Sequence, residues 1–463
     1  MDVIACTQKW AEHHFGSAEL GDRRRTRRLV TSAARIAAHP EKPFTQVFEW
    51  NALRGFYRLC HQAEATLEAV MRPHWEQTRA AMRQQPLVLI LHDTSELDFT
   101  DHPAVRGLGP IGDGGGRGFL QHNSLAVLPK PRQVLGLAYQ QLRLRQPAPE
   151  GESTFQRRKR PRETALWETG MRGVGAAPEG RCWVDVGDRG ADLYEAMRAA
   201  REMQHHFLIR AKQDRVVFVT ATHDQERHLF DYARSLPSQG HDQVRIPGRG
   251  GRLGRSATVA LAAAPVWVPA PKGFPQRGQQ PVLAAWVIRI WEPQPPGGSA
   301  ERLEWILLCS LRTETLAELK ERRDWYVCRW MVEVFHNIEK NGCSEEERRF
   351  ETADRLETCL AVLSVVAVRI FQLRCALEDQ PDAPAEQVAT AAELRLLCRF
   401  LQHQGRRKLT VREFVHGVAK LGGFLGRKSD GQPGVRALWR GYQRLQDMLL
   451  GFHLSVSPSP GFS

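Results

Sequence analysis

Glu333 stands in the segment "YVCRWMVEVFHNIEK", where Tyr326, Arg329, Glu333 and Lys340 recur at offsets of three, seven and fourteen. Asp93 closes the apolar run of "PLVLILHDTSE", and Asp188 follows the run of "RCWVDVGD". If Asp93, Asp188 and Glu333 meet, they offer the hard oxygen ligands that suit Mg²⁺ with room for water and phosphate. Two such ions, about 3.5 to 4 Å apart, activate an attacking oxygen and stabilise a leaving one. That is phosphoryl-transfer chemistry on nucleic acid. Singly each acid is weak evidence, because an Asp ending a strand more often caps a turn. Asp185, earlier on the same strand as Asp188, and Asp98 are rivals that periodicity does not exclude.

The elements that must position these acids follow from pattern. From Glu314 no Pro or Gly intervenes until Asn341-Gly342, a helix stop. At about 100° per residue, Tyr326, Arg329, Glu333 and Lys340 share an arc of roughly 60° over about 21 Å. Val327, Cys328, Met331, Val332, Val334, Phe335 and Ile338 gather opposite, so the polar stripe should face outward or into a cleft. A solvated face with an i,i+4 Arg329–Glu333 pair would give the same pattern. Leu87–Leu91 has the composition of a strand buried on both faces with an acid at its carboxyl end, where open α/β sheets place ligands.

Further strands are expected in "HNSLAVLP", "VLGLAYQQLRLR", "HFLIRAK" and "LEWILLCSL". The Gly- and Pro-rich stretch from about 214 to 300, with "SATVALAA" and "PVLAAWVIRIW", predicts a β-rich insertion carrying the basic loop "RIPGRGGRLGRS". The fold class is therefore α/β, a mixed sheet with flanking helices. Expected domains are a helical unit at 1–70, a catalytic α/β unit at 71–375 and, after a linker at 376–386, a helical unit to 463. "GLGPIGDGGGRGF" lacks both the P-loop ending and the dinucleotide-fold context, and is expected to be a flexible loop. "QRRKRPR" at 156–162 is either a solvated charge run or a phosphate-contacting loop.

The chain of 463 residues has a formal net charge of +13, a pI near 9.6, and far more Arg than Lys. Guanidinium forks suit phosphate, so an anionic polymer is the first partner to consider. "LGDRRRTRRLV" places Asp22 as an N-cap followed by Arg23, Arg24, Arg25, Arg27 and Arg28. Positive charge there opposes the helix dipole and calls for an anion, for which a DNA backbone would serve. Nine cysteines are scattered singly with no zinc spacing, as in a reduced cytosolic protein. "MDVIACTQKWAEHH" has no apolar leader core, and "LAVLSVVAVRIF" is too short to span a bilayer before Arg369. A cytoplasmic protein without a membrane partner is expected.

With these residues in view, the chain resembles the cut-and-paste DDE transposases of the Tn5 type, in the insertion-sequence-four family, whose hallmark is Y-x2-R-x3-E-x6-K. Tyr326, Arg329, Glu333 and Lys340 match that pattern without a gap. The similarity runs from "WAEHHFGSAELGDRRRTRRLV" through "HDTSELDF" and "GDRGADLY" to "LAVLSVVAVRIFQLR" and "KLGGFLG".

The resemblance implies a ribonuclease-H-like core interrupted by the β-rich insertion, an N-terminal domain that binds double-stranded transposon ends, and a C-terminal domain that pairs two subunits. Carried over by position, Asp93, Asp188 and Glu333 hold two Mg²⁺ ions, with Mn²⁺ able to substitute. Tyr326, Arg329 and Lys340 hold phosphates near the cleaved end, and Trp305 and Trp330 receive a flipped base. The activity implied is nicking, hairpin-mediated double-strand cleavage and strand transfer into target DNA. A structure-selective nuclease and a domesticated or inhibitory DNA-binding protein are the competing readings.

Overall fold

The computed structural model describes residues 7–40, 42–146, 163–246, 255–294, 303–401 and 408–427, with 149, 151, 153 and scattered residues from 432 to 449. The basic runs at 156–162 and 247–254 lie outside the described residues.

The chain opens with helices α1 (Thr7–Phe15), α2 (Arg23–Ala38), the single turn α3 (Phe44–Val47), α4 (Trp50–Cys60) and α5 (Leu67–Arg83). Asp22 caps α2, accepting from the Arg24 N–H at 2.8 Å. The inner faces of α1, α2 and α4 bury Trp10, Phe15, Leu29, Ile36, Leu53 and Phe56, which leaves Arg23, Arg24, Arg27 and Arg28 of α2 exposed.

Strands β1 (Leu87–Asp98), β2 (Gly109–Ile111), β3 (Gly116–Pro129) and β4 (Arg132–Arg143) follow, then α6 (Ala165–Val174), β5 (Cys182–Gly187), α7 (Tyr194–Glu202) and β6 (His206–Arg210). β7 (Val216–Phe218), β8 (Glu226–His228), α8 (Leu229–Ser235), β9 (Gly240–Ile246), β10 (Arg255–Val268), β11 (Leu283–Trp291) and β12 (Glu304–Cys309) complete the sheet. Twelve strands join in one mixed sheet, ordered β2-β3-β1-β5-β6-β12-β11-β10-β7-β8, with β4 on β3 and β9 on β10. Among the described residues, β1–β5 and β5–β6 are the parallel strand pairs and the others are antiparallel. The β-rich stretch does not stand apart: β12 pairs with both β6 and β11, so the insertion prolongs the central sheet.

Asp93 does not end its strand, because β3 pairs antiparallel with β1 from Leu89 to Asp98 and carries it onward. What ends near Asp93 is the parallel ladder to β5, whose last pair is Leu91 with Val186. The Gly-rich "GLGPIGDGGGRGF" is no loop but the β2–β3 hairpin. Gly112 and Gly114 supply positive φ at its turn, and a Cβ on Gly118 would stand 1.8 Å from the Leu97 carbonyl oxygen.

The chain then forms α9 (Leu316–Cys328), α10 (Trp330–Asn337), α11 (Ala353–Asp379), α12 (Ala391–Phe400) and α13 (Val411–Leu421). α11 passes through the core, and residues 376–379 of the expected linker prolong it. Its stretch Ala353–Ala376 is long and apolar enough to cross a membrane, but 82% of the window is buried inside the fold. Arg369 does not interrupt it; the guanidinium is buried and donates to the Tyr442 hydroxyl at 2.8 Å.

Candidate active site

Side chains alternate across β1, so Leu89, Leu91 and Asp93 face one side and Ile90 and His92 the other. On the Asp93 side lies α10. Thr315 caps α9 in a reciprocal capping box with Glu318, and the helical path runs through Arg329, whose backbone is helical but whose N–H reaches back only three residues, to Tyr326. A π turn, Ile338–Gly342, ends it. The regular rod expected from the spacing is thus tightened once and widened once, and its polar stripe enters a cleft unevenly. Tyr326 is buried, Arg329 and Lys340 are partly covered, and Glu333 is 55% exposed.

Arg329 ties the stripe to the sheet. Its Nη2 donates to Glu333 Oε1 at 2.5 Å, and its Nη1 lies 3.9 Å from Asp93 Oδ2. Burial pushes the Asp93 carboxyl up to about 7, and the charges of Asp188 and Glu333 push the same way, against the Thr94 N–H and Arg329. Asp93 on β1 thus feels the charges of Asp188, from the turn after β5, and of Glu333, from α10. Asp188 also caps the short turn Arg189–Ala191, accepting from the Gly190 N–H at 2.7 Å.

The rival acids are placed differently. Asp185 is wholly buried between His92 and His205, each 3.0 Å away, on the sheet face opposite Asp93. Asp98 closes a turn by accepting from the Thr100 N–H at 2.8 Å.

Carboxylates are the hard oxygen donors that Mg²⁺ takes, and Asp93 is the one on which the charges of the other two converge. Among the described residues, no group of three His, Cys, Asp or Glu is close enough to enclose an ion. The Arg329 guanidinium supplies positive charge between Glu333 and Asp93 instead.

Lys340 donates from Nζ to the Glu96 carbonyl oxygen and lies 3.2 Å from Glu346. Trp305, half-buried on β12, meets Tyr326 edge-on with centroids 5.3 Å apart. Trp330 opens α10 and is 38% exposed. The structure thus joins Trp305 to the stripe through Tyr326 and leaves the Trp330 ring toward solvent. Sequence reasoning missed Arg210, whose charge and hydrogen bond act against the burial that raises the Tyr326 phenol, and His336, 4.0 Å from Asp93. His336 lies three residues from Glu333 and was a visible signal; the contact of Arg210 depends on β6 lying beside β12, which local pattern does not reveal.

Arg23, Arg24, Arg27 and Arg28 are all exposed, far along the chain from the acids, on α2. A Cβ on Gly55 would come within 2.0 Å of Arg28 Nη1, so Arg28 crosses α4 at its one residue without a side chain. On the outside of α4, Trp50, Arg54 and Arg58 recur every four residues and are exposed.

Comparison with known families gives two matches at the chain's ends. Residues 7–65, which hold α1, α2, α3 and α4, match the transposase DNA-binding family. Residues 365–459 match the Tn5 transposase dimerisation domain.

Proposed function

We propose that this chain, which belongs to the Tn5-type transposases, cuts its element out by metal-dependent nicking at the transposon ends, hairpin formation and strand transfer into target DNA. It is a DNA transposase with a DNA-binding and a dimerisation domain, so duplex DNA and a second copy of the chain are its partners. The observation that carries the catalytic reading is the coupling of Asp93 to Asp188 and Glu333, with Arg329 between two of the three.

In this reading the sheet between the terminal domains is a ribonuclease-H-like core. Asp93, Asp188 and Glu333 would hold two Mg²⁺ ions, for which Mn²⁺ could substitute, and these would supply Lewis-acid activation of the attacking oxygen and charge neutralisation at the leaving one. The chain's own groups do the positioning. Arg329 exchanges its carboxylates for a strand phosphate, and Lys340, anchored at Glu96 and Glu346, holds the next part of the backbone. Tyr326 is held by Trp305 and Arg210 and orients the end of the strand. Trp305 and Trp330 stack the base displaced during hairpin formation. Arg23, Arg24, Arg27 and Arg28 grip end DNA, two such complexes pair in a synaptic dimer, and the work is done in the cytoplasm.

The test is a divalent-metal-dependent cleavage assay on the element's own end DNA. Nicks, then hairpins, then joined target products support the reading. Binding without cleavage would leave a DNA-binding protein, and cleavage without hairpins a nuclease.

A further inference from the structure

Beneath the acids, on the other face of the sheet, a chain of polar groups is sealed from solvent. His92, His122, Ser124, Asp185 and His205 are all buried. Ser124 Oγ on β3 lies 3.1 Å from His92 Nδ1, and His92 Nε2 lies 3.0 Å from Asp185 Oδ1. Asp185 Oδ2 lies 3.0 Å from His205 Nδ1, and His205 Nε2 lies 2.9 Å from the Gly175 carbonyl oxygen after α6.

Donor counting fixes the charge of His205. A carbonyl and a carboxylate only accept, so both His205 nitrogens donate and the ring is an imidazolium. Burial opposes that charge, but Asp185 outweighs it and raises the ring. Burial also works against the Asp185 carboxylate, and the two histidines still hold it down to about 2. His92 bridges Asp185 and Ser124.

We propose that Asp185, His92 and His205 form a positioning bracket that sets where the carboxylates of Asp93 and Asp188 stand, an inference that rests on the assignment of those two acids above. The backbone ladder between β1 and β5 stops at Leu91 and Val186, one residue before His92 and two before Asp93. Past that point the His92–Asp185 bond ties the two strands, and the bond to His205 extends the tie to the entrance of β6. Asp93 is held from both neighbours: His92 by this bracket, and Thr94 by its hydroxyl, 2.8 Å from His122 Nδ1. The His92 and His122 rings are stacked with centroids 5.7 Å apart, and α6 lies flat on them at Gly170, where a Cβ would come within 2.5 Å of His122.

Apolar side chains would fill this space without the desolvation cost of a buried ion pair. What they lack is direction. A strand slip by one residue would turn Asp93 to the wrong face, and charge-assisted bonds at the end of the ladder oppose it.

The test uses the full-length chain with Mn²⁺ alone as probe, read by calorimetry, beside single-turnover nicking, end-DNA affinity and thermal stability. Asp185→Ala should lose about 10- to 100-fold in both Mn²⁺ affinity and nicking rate, with end binding unchanged. Asp185→Asn keeps an acceptor for His92 and offers an N–H to a neutral His205, so it should recover most of both. If Asp185→Ala does not fold, His205→Gln, which cuts the bracket at its outer end, must show the loss. Folded variants that keep parental Mn²⁺ affinity and rate, with only a lower melting temperature, overturn the proposal. Asp93→Asn is the reference: if it binds Mn²⁺ and nicks like the parent, the assignment of the acids falls instead.

Discussion

The Arg329 guanidinium bonds Glu333 at 2.5 Å and stands 3.9 Å from Asp93, so one cation spans acids from a helix and a strand. Removing Glu333 removes a carboxylate and no positive charge. Glu333→Ala should therefore leave end binding intact. Loss of a group that merely supports a metal ligand costs about 10- to 100-fold, so nicking should fall by at least the upper end of that range. The check is single-turnover nicking in Mg²⁺ beside a binding titration; a variant that nicks at a comparable rate removes Glu333 from the site.

End binding should weaken steeply with salt, because each neutralised phosphate contributes a slope of about 0.9 in log K against log salt. Arg27 and Arg28 are exposed on α2, within the region matching the DNA-binding family. Replacing both with Ala should lower the slope by about 2. An unchanged slope would take this face of α2 out of the interface.

The strand that carries Asp93 and the helical path that carries Glu333 were legible because their signals are local. A helix carries its spacing with it, and an apolar run ending in Asp marks a buried strand. The continuation of β1 past Asp93 was not legible, since it depends on antiparallel pairing with β3, whose first residues belong to a Gly-rich hairpin. Nor was the choice between Asp185 and Asp188: they stand three residues apart, one inside β5 and one just past it, and only His92 on β1 and His205 before β6 mark Asp185 as enclosed. The even polar stripe failed for a different reason. Periodicity assumes one helical pitch, and this helix changes pitch at Arg329 and again at Ile338.

Glu339, next to Lys340, is wholly buried and accepts from Gln121 at 3.2 Å and Asn123 at 3.0 Å. Burial raises its carboxyl to about 8, against the bonds from Ser364, Asn123 and Gln121 and the charge of Lys340. Between its ordinary value of 4.5 and about 8, the folded chain holds a proton that the unfolded chain has lost. Stability from this group therefore falls as pH rises through that window, with a slope of at most about 1.4 kcal/mol per pH unit. Glu339→Gln should flatten the fall, the Gln121 amide turning to meet it. Melting temperatures of both proteins from pH 5 to about pH 9 check this; parallel curves would mean that Glu339 does not titrate there.

Trp305 and Trp330 separate hairpin formation from packing. Trp305 is half-buried against Tyr326, so Trp305→Ala should cost stability as well as function, about 1 to 3 kcal/mol, below the range for a wholly buried Trp. Trp330 is 38% exposed at the start of α10, and Trp330→Ala should change stability by no more than about 0.5 kcal/mol. Stacking one flipped base is worth about 1 to 3 kcal/mol, so loss of either platform should slow hairpin formation roughly 5- to 160-fold. The first nick needs no flipped base and should proceed nearly as in the parent. Trp330→Ala is therefore the cleaner probe, because a stable protein that nicks normally and hairpins slowly cannot be explained by core loss. Time courses of nicked and hairpin product beside thermal melts decide it: equal slowing of both steps, or normal hairpins in stable Trp330→Ala, would remove Trp330 from the base-stacking role.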